Sequence, residues 1–296
     1  MSHLLSKNSL SKNSLSKNSL SKNSLSKNSL SKNSQQTGQT QTQMVTPKSA
    51  NWRYVGFEAH QLKAGESITI ETATDEVCAV ILSGKANANT KLEAWKNIGD
   101  RMSVFDQKAP YSVYSPAQDE ICIEAITDVE VAFCKAPGKG GFKAKLISPE
   151  QCQYETRGVT SNTRHVCNIL FGNEPADSLL VCEVITPSGG WSSYPPHKHD
   201  TDAAPAETQL EETYYHKIDP PQGFAFQRVY TDDRSIDETM AVEDGDLVMV
   251  PEGYHPVGVP HGYQSYYLNV MAGPSRNWIF HNDPDHEWII ERDKQV

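Results

Sequence analysis

The residues best suited to chemistry lie in the C-terminal half, where Tyr-Pro-Pro-His197-Lys-His199 places two imidazoles at positions i and i+2. Side chains two apart on a strand share one face, so both rings can project into the same interior. Glu212 opens the strand-like run EETYYHKI and can bring a carboxylate to that point. His255 follows GDLVMV and a Pro251-Glu-Gly253-Tyr turn, the pattern of a strand that ends sharply. Three imidazoles and one carboxylate suit a divalent Zn, Mn, Fe, Co or Ni ion and leave room for water or substrate oxygens. A lone His-x-His is more often a solvated or packed pair. Joined to a glutamate at a later strand start and a histidine behind a Pro-x-Gly turn, it is a more specific signal.

The elements that must position these residues are strands. From Ser67 onward, runs such as SITIET, VCAVILSG, YSVYSP and EICIEAI alternate with Gly, Pro, Asp and Asn clusters. After Pro137-Gly-Lys-Gly-Gly141 the pattern resumes with HVCNILFG, SLLVCEVITP, EETYYHKI, FAFQRVYT and QSYYLNVMAG. No segment of 12 or more residues has helical periodicity. The reading is all-β, in two barrel or sandwich units over 49–155 and 156–296, with the boundary between Gly138 and Gly158. Periodicity does not choose between barrel and sandwich.

Residues 1–48 differ in kind. Six tandem copies of Leu-Ser-Lys-Asn-Ser span residues 5–34 and lead into a Gln/Thr-rich stretch. A five-residue period lines up no apolar face on a helix or a strand, so this tail is expected to be disordered. It contains no apolar run of signal-peptide type, and no other segment is apolar enough for a membrane span. Of the 27 Lys+Arg, seven fall in this tail, leaving the remainder 20 against all 37 Asp+Glu. Such an acidic body disfavours nucleic acid as a partner, while a local cationic pocket for a small anion stays compatible with it. The six cysteines form no Cys-x-x-Cys and lie mostly in apolar runs, which favours buried thiols in a reduced, cytoplasmic setting.

The His-x-His, Glu and Pro-x-Gly-x-His pattern resembles the two cupin motifs, G-x5-H-x-H-x3,4-E-x6-G and G-x5-P-x-G-x2-H-x3-N. It departs from them in four places. One extra residue separates Gly190 from His197, and twelve residues separate His199 from Glu212. Tyr254 alone separates Gly253 from His255, and the nearest downstream asparagine is Asn269. The insertion leaves Glu207 and Glu211 as alternative carboxylates, with Glu212 favoured by the family's Glu-to-strand spacing. The segments YPPHKHD, LEETYYH, GFAFQRVYTDDRSIDE, DGDLVMVPEGYHPVG and YYLNVMAGPSRNWIFHNDPDHEWI are similar to a bicupin isomerase family. That family comprises 5-deoxy-glucuronate isomerase, of inositol catabolism, and 5-keto-4-deoxyuronate isomerase. ILSGKA, GDRMSVFDQKAPYSVYSP and AFCKAP extend the resemblance over residues 52–290.

This resemblance implies two β-barrel (jelly-roll) domains, the first with His60 alone and no metal, serving packing or homo-oligomer formation. It also implies a Zn, Mn or Fe ion on His197, His199, Glu212 and His255. The implied activity is aldose–ketose isomerisation of a uronate, 5-deoxy-glucuronate to 2-deoxy-5-keto-gluconate, with 5-keto-4-deoxyuronate as the alternative substrate. Such a reaction needs a base for the C–H proton, an acid or electrophile at the carbonyl oxygen and stabilisation of the enediolate. Candidate bases outside the ligand set are Glu211, Tyr230, Asp232 and His261, with Tyr267 and Asn269 as orienting groups. Arg228 and Arg234 are candidate forks for the substrate carboxylate, or else surface partners of Asp232 and Asp233. If FAFQRVYT is half-buried, Gln227, Val229 and Thr231 share one face and Arg228 and Tyr230 the other, either of which can be the lumen. His216 lies roughly 13 Å along the strand from Glu212 and reads as structural. His281 and His286 read as pairing or contact residues, and Trp278, Trp288 and the Tyr pairs as core. Two other classes compete: a metal-dependent dioxygenase and a non-catalytic sugar-binding or storage cupin.

Overall fold

The structure is a computed structural model, and it describes residues 2–10 and 40–295. Its strands form two barrels, each a large sheet faced by a smaller one. In the first, a six-stranded sheet runs Lys145–Ile147, Ser112–Ser115, Asp75–Ser83, Val129–Pro137, Gly56–Leu62, Thr40–Val45. A four-stranded sheet of Ser67–Glu71, Glu120–Ala125, Ala86–Asn89 and Ala94–Ile98 closes over it. In the second, a seven-stranded sheet is ordered Leu5–Ser6, Leu247–Val250, Glu211–Asp219, Gln264–Ala272, Leu180–Thr186, Arg164–Leu170, Gln153–Arg157. Its cover is the four-stranded sheet Trp191–Ser192, Val257–Gly258, Phe224–Tyr230, Asp237–Glu243, with a short ladder between His197–Lys198 and His281–Asn282. Helix is confined to short pieces such as Pro47–Ala50 and Trp288–Asp293. Among the described residues no helix is long and apolar enough to cross a membrane.

The two large sheets pack on each other, which explains why their strands read as nearly unbroken apolar runs. Along Asp75–Ser83, Val77, Ala79 and Ile81 fill the first barrel while Cys78, Val80 and Leu82 face the second. The same alternation runs through Gln264–Ala272, where Tyr266, Leu268 and Val270 enter the shared core and Tyr267 and Met271 enter the second barrel. The polar groups in this interface are matched. Arg101 forks onto Glu183 at 2.8 and 2.9 Å, and the Tyr266 hydroxyl donates to the same carboxylate at 2.9 Å. Two reciprocal clasps join the barrels. Glu76 of the first accepts the backbone N–H groups of Asp177, Ser178 and Leu179, and Glu211 of the second accepts those of Arg53, Tyr54 and Val55.

Two expectations on organisation need correction. The strand Gln153–Arg157 pairs with Arg164–Leu170, so the boundary falls at 148–152, inside the 138–158 window and ahead of the division at 155/156. The tail also has structure at both of its described ends. Leu5–Ser6 pairs with Leu247 and Val248, Leu4 is buried in the second barrel, and Thr40–Val45 extends the first barrel's sheet along Gly56–Leu62. Local composition gave these segments no packable face. Exposed sheet edges supply the partners, and an edge's unpaired N–H and C=O groups accept a strand of nearly any sequence. The rest of the repeat, with the residues that follow it up to 39, lies outside the described residues.

Candidate metal centre and cavity

His197 and His199 are delivered by the short ladder with His281–Asn282, and His255 by the turn after Leu247–Val250. That turn depends on Gly253, whose φ of +91° suits glycine and whose Cβ would lie 2.5 Å from the Tyr230 carbonyl oxygen. The three imidazoles converge: one ring nitrogen from each lies within 4.8 Å of the others. Glu212 reaches the same point, its Oε2 lying 3.0 Å from His199 Nε2 and 3.3 Å from His255 Nε2. His199, Glu212 and His255 are buried, while His197 is half-buried at the mouth against Trp278 and Phe280.

The donor set fits a divalent cation on three observations. His199 Nδ1 is 3.2 Å from the Leu210 carbonyl and His255 Nδ1 is 2.8 Å from that of Gly253. Donation to those carbonyls presents both Nε2 lone pairs to the centre, the usual orienting device behind a metal-bound imidazole. His255 Nε2 is buried with no hydrogen-bond partner, a costly arrangement that a cation relieves. The ionisation of the cluster is divided. Burial, with the neighbouring imidazoles, holds His197 low, and burial first of all takes His255 to about 4, so both are neutral at pH 7. At His199 burial opposes protonation, but the hydrogen bond and charge of Glu212 outweigh it and raise the pKa. Two neutral imidazoles and a third held against the Glu212 carboxylate are a donor set suited to a cation.

The twelve-residue insertion folds back on itself, is tied to Gly253 through Asp200 and to Asn277 and Ile279 through Thr208, and leaves the site intact. Glu207 bonds Lys198 Nζ and the backbone N–H groups of Asp200 and Thr201, and Leu210 N returns to the His199 carbonyl at 2.8 Å. Glu207 and Glu211 are thereby committed elsewhere, and Glu212 is the glutamate of the three at the histidines.

A narrow cavity of about 50 Å³ runs from this centre into the barrel, and its walls include Glu212, Tyr214, Tyr267, Asn269, Ser193 and Trp278. Tyr267 and Asn269 thus line this cavity. The Tyr pairs split by parity: Tyr214 and Tyr267 line the cavity, and Tyr215 and Tyr266 lie between the barrels. The proposed bases are not brought to it. Glu211 points to the opposite face of its strand from Glu212 and is spent on the Arg53–Val55 backbone. Tyr230 and Arg228 are on the outside of their strand, since Ala225 and Val229 fill the lumen. The Tyr230 hydroxyl donates to Asp283 at 2.6 Å, and Arg228 forks onto Asp237 at 2.8 Å and stacks on Tyr230. Arg234 likewise sits over Tyr230 near Asp237. Asp232 is largely exposed and accepts from the Tyr254 hydroxyl at 2.9 Å. His261 is exposed beyond Gln264, which pairs with Asp219, whereas Glu212 pairs with Met271 at the far end of the same ladder. Seven residues of strand, roughly 23 Å, separate those ends.

Of the remaining histidines, His216 is buried and bonds Gln227 at 2.9 Å, His281 is exposed beside Lys198, and His286 lies 3.9 Å from Asp283. His60 bonds Glu58, which also holds Lys135. Sequence reasoning missed Arg157 and Arg164, which line the cavity next to His197. Their one signal was the turn-like GVTSNT between them, which folds back as a hairpin.

Fold and site together define a bicupin whose second barrel gathers three imidazoles and a carboxylate, a donor set suited to a divalent ion. The chain belongs to the KduI/IolB family, whose profile matches residues 29–289. It is 62% identical over 247 residues to a 5-deoxy-glucuronate isomerase of Geobacillus kaustophilus, covering 83% of this chain and 90% of that protein. It is 54% identical over 249 residues to that of Bacillus subtilis strain 168, covering 84% and 92%. Among solved structures, an IolB-like protein from Salmonella typhimurium LT2 superposes with a TM-score of 0.86 at 46% identity, covering 98% and 100% of the two chains. Oxalate decarboxylase of Lactobacillus farciminis, at 13% identity with a TM-score of 0.59 over 85% and 86%, shares the fold.

Proposed function

We propose that this protein is a metal-dependent aldose–ketose isomerase that converts 5-deoxy-glucuronate to 2-deoxy-5-keto-gluconate in inositol catabolism. The observation that carries this reading is the 62% identity, across both barrels, to a relative of that name. The cavity supplies matching chemistry. Isomerisation moves one proton from C2 to C1 and one from the C2 hydroxyl to the C1 oxygen, with no net oxidation and no added oxidant.

A divalent ion, Zn, Mn or Fe, held by His197, His199, His255 and Glu212 would supply positive charge against which negative charge on the substrate oxygens is stabilised. The chain's own groups do the rest. Burial pushes Tyr267 up to about 12 and raises Tyr214 further, so both stay protonated and act as donors toward substrate oxygens. The Tyr214 hydroxyl is fixed by Ser193 Oγ at 3.0 Å. Asn269 adds an amide, its Nδ2 3.5 Å from the Thr213 carbonyl. Among the described residues lining the cavity Glu212 is the one carboxylate, and it completes the donor set for the ion. Trp278 and Phe280 narrow the mouth around His197 and limit water. Six free thiols, five of them buried, suit a reducing cytoplasm.

The test is anaerobic incubation with 5-deoxy-glucuronate, followed by NMR, before and after chelation and elemental analysis. Turnover without oxygen that stops on metal removal and returns with added divalent ion is expected. Unchanged turnover in metal-free protein would sink the reading, and a requirement for oxygen would favour a dioxygenase.

A further inference from the structure

Arg157 and Arg164 are directly opposite each other at the end of the ladder between Gln153–Arg157 and Arg164–Leu170. Both line the inner cavity that holds Glu212 and His197, and both line the wider vestibule of about 540 Å³ outside it. Like charges directly opposed across antiparallel strands are destabilising. The fold supplies one carboxylate, Glu155, to the two guanidinium groups, which leaves a net positive charge. Arg157 shares Glu155 at 2.5 Å and stacks on the Trp278 ring at 5.0 Å. Arg164 bonds the Asn162 carbonyl at 3.1 Å and its side-chain oxygen at 3.4 Å, and no carboxylate among the described residues lies within ion-pair distance.

Other buried arginines here are treated differently. Arg101 is forked onto Glu183, and Arg276 is spent on the backbone carbonyls of Leu170, Phe171, Glu174 and Leu179. Arg164 is half-buried with guanidinium donors to spare, and burial lowers its pKa. A planar cation held in that condition beside a second one is a fork for a planar anion.

We propose that Arg157 and Arg164 form the subsite for the substrate's carboxylate and set the preference for uronates over neutral aldoses. This rests on the isomerase reading. In 5-deoxy-glucuronate the carboxylate is at the opposite end of a six-carbon chain from the aldehyde, roughly 6 Å away when extended. With the reacting carbons at the histidines, the carboxylate would reach toward the arginines that line the same cavity and its vestibule. The Trp278 ring lies under the Arg157 guanidinium, 5.0 Å from centroid to Cζ, and restrains it, so less freedom is lost on binding.

The test compares Arg157→Met and Arg164→Met with wild type on 5-deoxy-glucuronate and on its neutral analogue with a hydroxymethyl group in place of the carboxylate. Expected is a fall in kcat/KM of at least about 30-fold for the uronate, mostly in KM, and less than about threefold for the analogue. Arg164→Lys should recover part of the loss, and metal content and thermal midpoint should be retained, since removing one like charge relieves repulsion. Equal losses on both substrates, or no loss on the uronate, overturn the proposal. Calorimetric titration of metal-depleted protein with gluconate separates the two readings. Binding lost in the variants supports the subsite even if 5-deoxy-glucuronate proves not to be turned over, and equal or absent binding in wild type and variants overturns it.

Discussion

The four side chains at the centre make different demands. His199 and His255 are fixed by backbone carbonyls behind them, and Glu212 fills the space between their Nε2 atoms. His199→Ala should lose both metal and turnover, read by elemental analysis beside the NMR assay, and full activity in that variant would exclude His199 from the site. His216 offers a prediction on stability. Burial takes it to about 4, although the hydrogen bond to the Gln227 side-chain oxygen pulls the other way. With an ordinary value near 6.5 in the unfolded chain, the unfolded state binds more protons between pH 6.5 and 4, so stability falls as pH drops through that window. The loss from this residue approaches roughly 3 kcal/mol. Urea unfolding of His216→Gln at pH 7 and 4.5 should show a weaker pH dependence than wild type, and an identical slope would refute the assignment. The histidines were legible in the sequence because metal-ligand spacing on a strand and its turn is a local property. The carboxylate was less so: Glu207, Glu211 and Glu212 differ in what folds against them, and no local pattern records that.

At the level of elements, strand parity decides the outcome. In Glu211–Asp219 and Gln264–Ala272 each tyrosine pair sends one ring to the cavity and one to the interface, so neighbours in sequence take unrelated roles. Phe224–Tyr230 shows the same rule with the opposite result for the sequence reading. Its apolar Ala225 and Val229 claim the lumen, which turns Arg228 and Tyr230 out to Asp237 and Asp283. The alternation itself was visible beforehand, but which face is inside depends on the sheet across the barrel. Glu211 gives this a measurable form. Glu211→Ala would leave three backbone N–H groups without their acceptor, each worth about 1 kcal/mol or more. The thermal midpoint should drop while kcat/KM stays within a few-fold of wild type. A large loss of kcat at unchanged stability would restore Glu211 as the base.

Across the whole molecule, two barrels share one core and exchange clasps through Glu76 and Glu211, so the central strands of both large sheets are covered on both faces. The N-terminal segment completes the outer edge of the second barrel. Leu4 is buried there, Leu5–Ser6 pairs with Leu247–Val248, and Lys7 reaches Asp246 at 2.7 Å. Leu4→Ala should cost about 2–4 kcal/mol, measured by denaturant unfolding. Removal of residues 2–10 should in addition bare the Leu247–Val250 edge and promote association, visible by light scattering. A truncated chain as stable and monodisperse as the full one would show the contact to be idle.

By itself the sequence determined the all-β class and singled out three histidines at ligand-like spacing, because alternation, turn residues and such spacing act within a few residues of one another. Tertiary structure alone decided which carboxylate joins them, that both described ends of the repetitive tail become edge strands, and that Arg157 and Arg164 meet at the cavity. Each of these depends on pairing between segments whose complementarity lies in backbone groups and buried faces, and those acquire a definite partner when the sheets close.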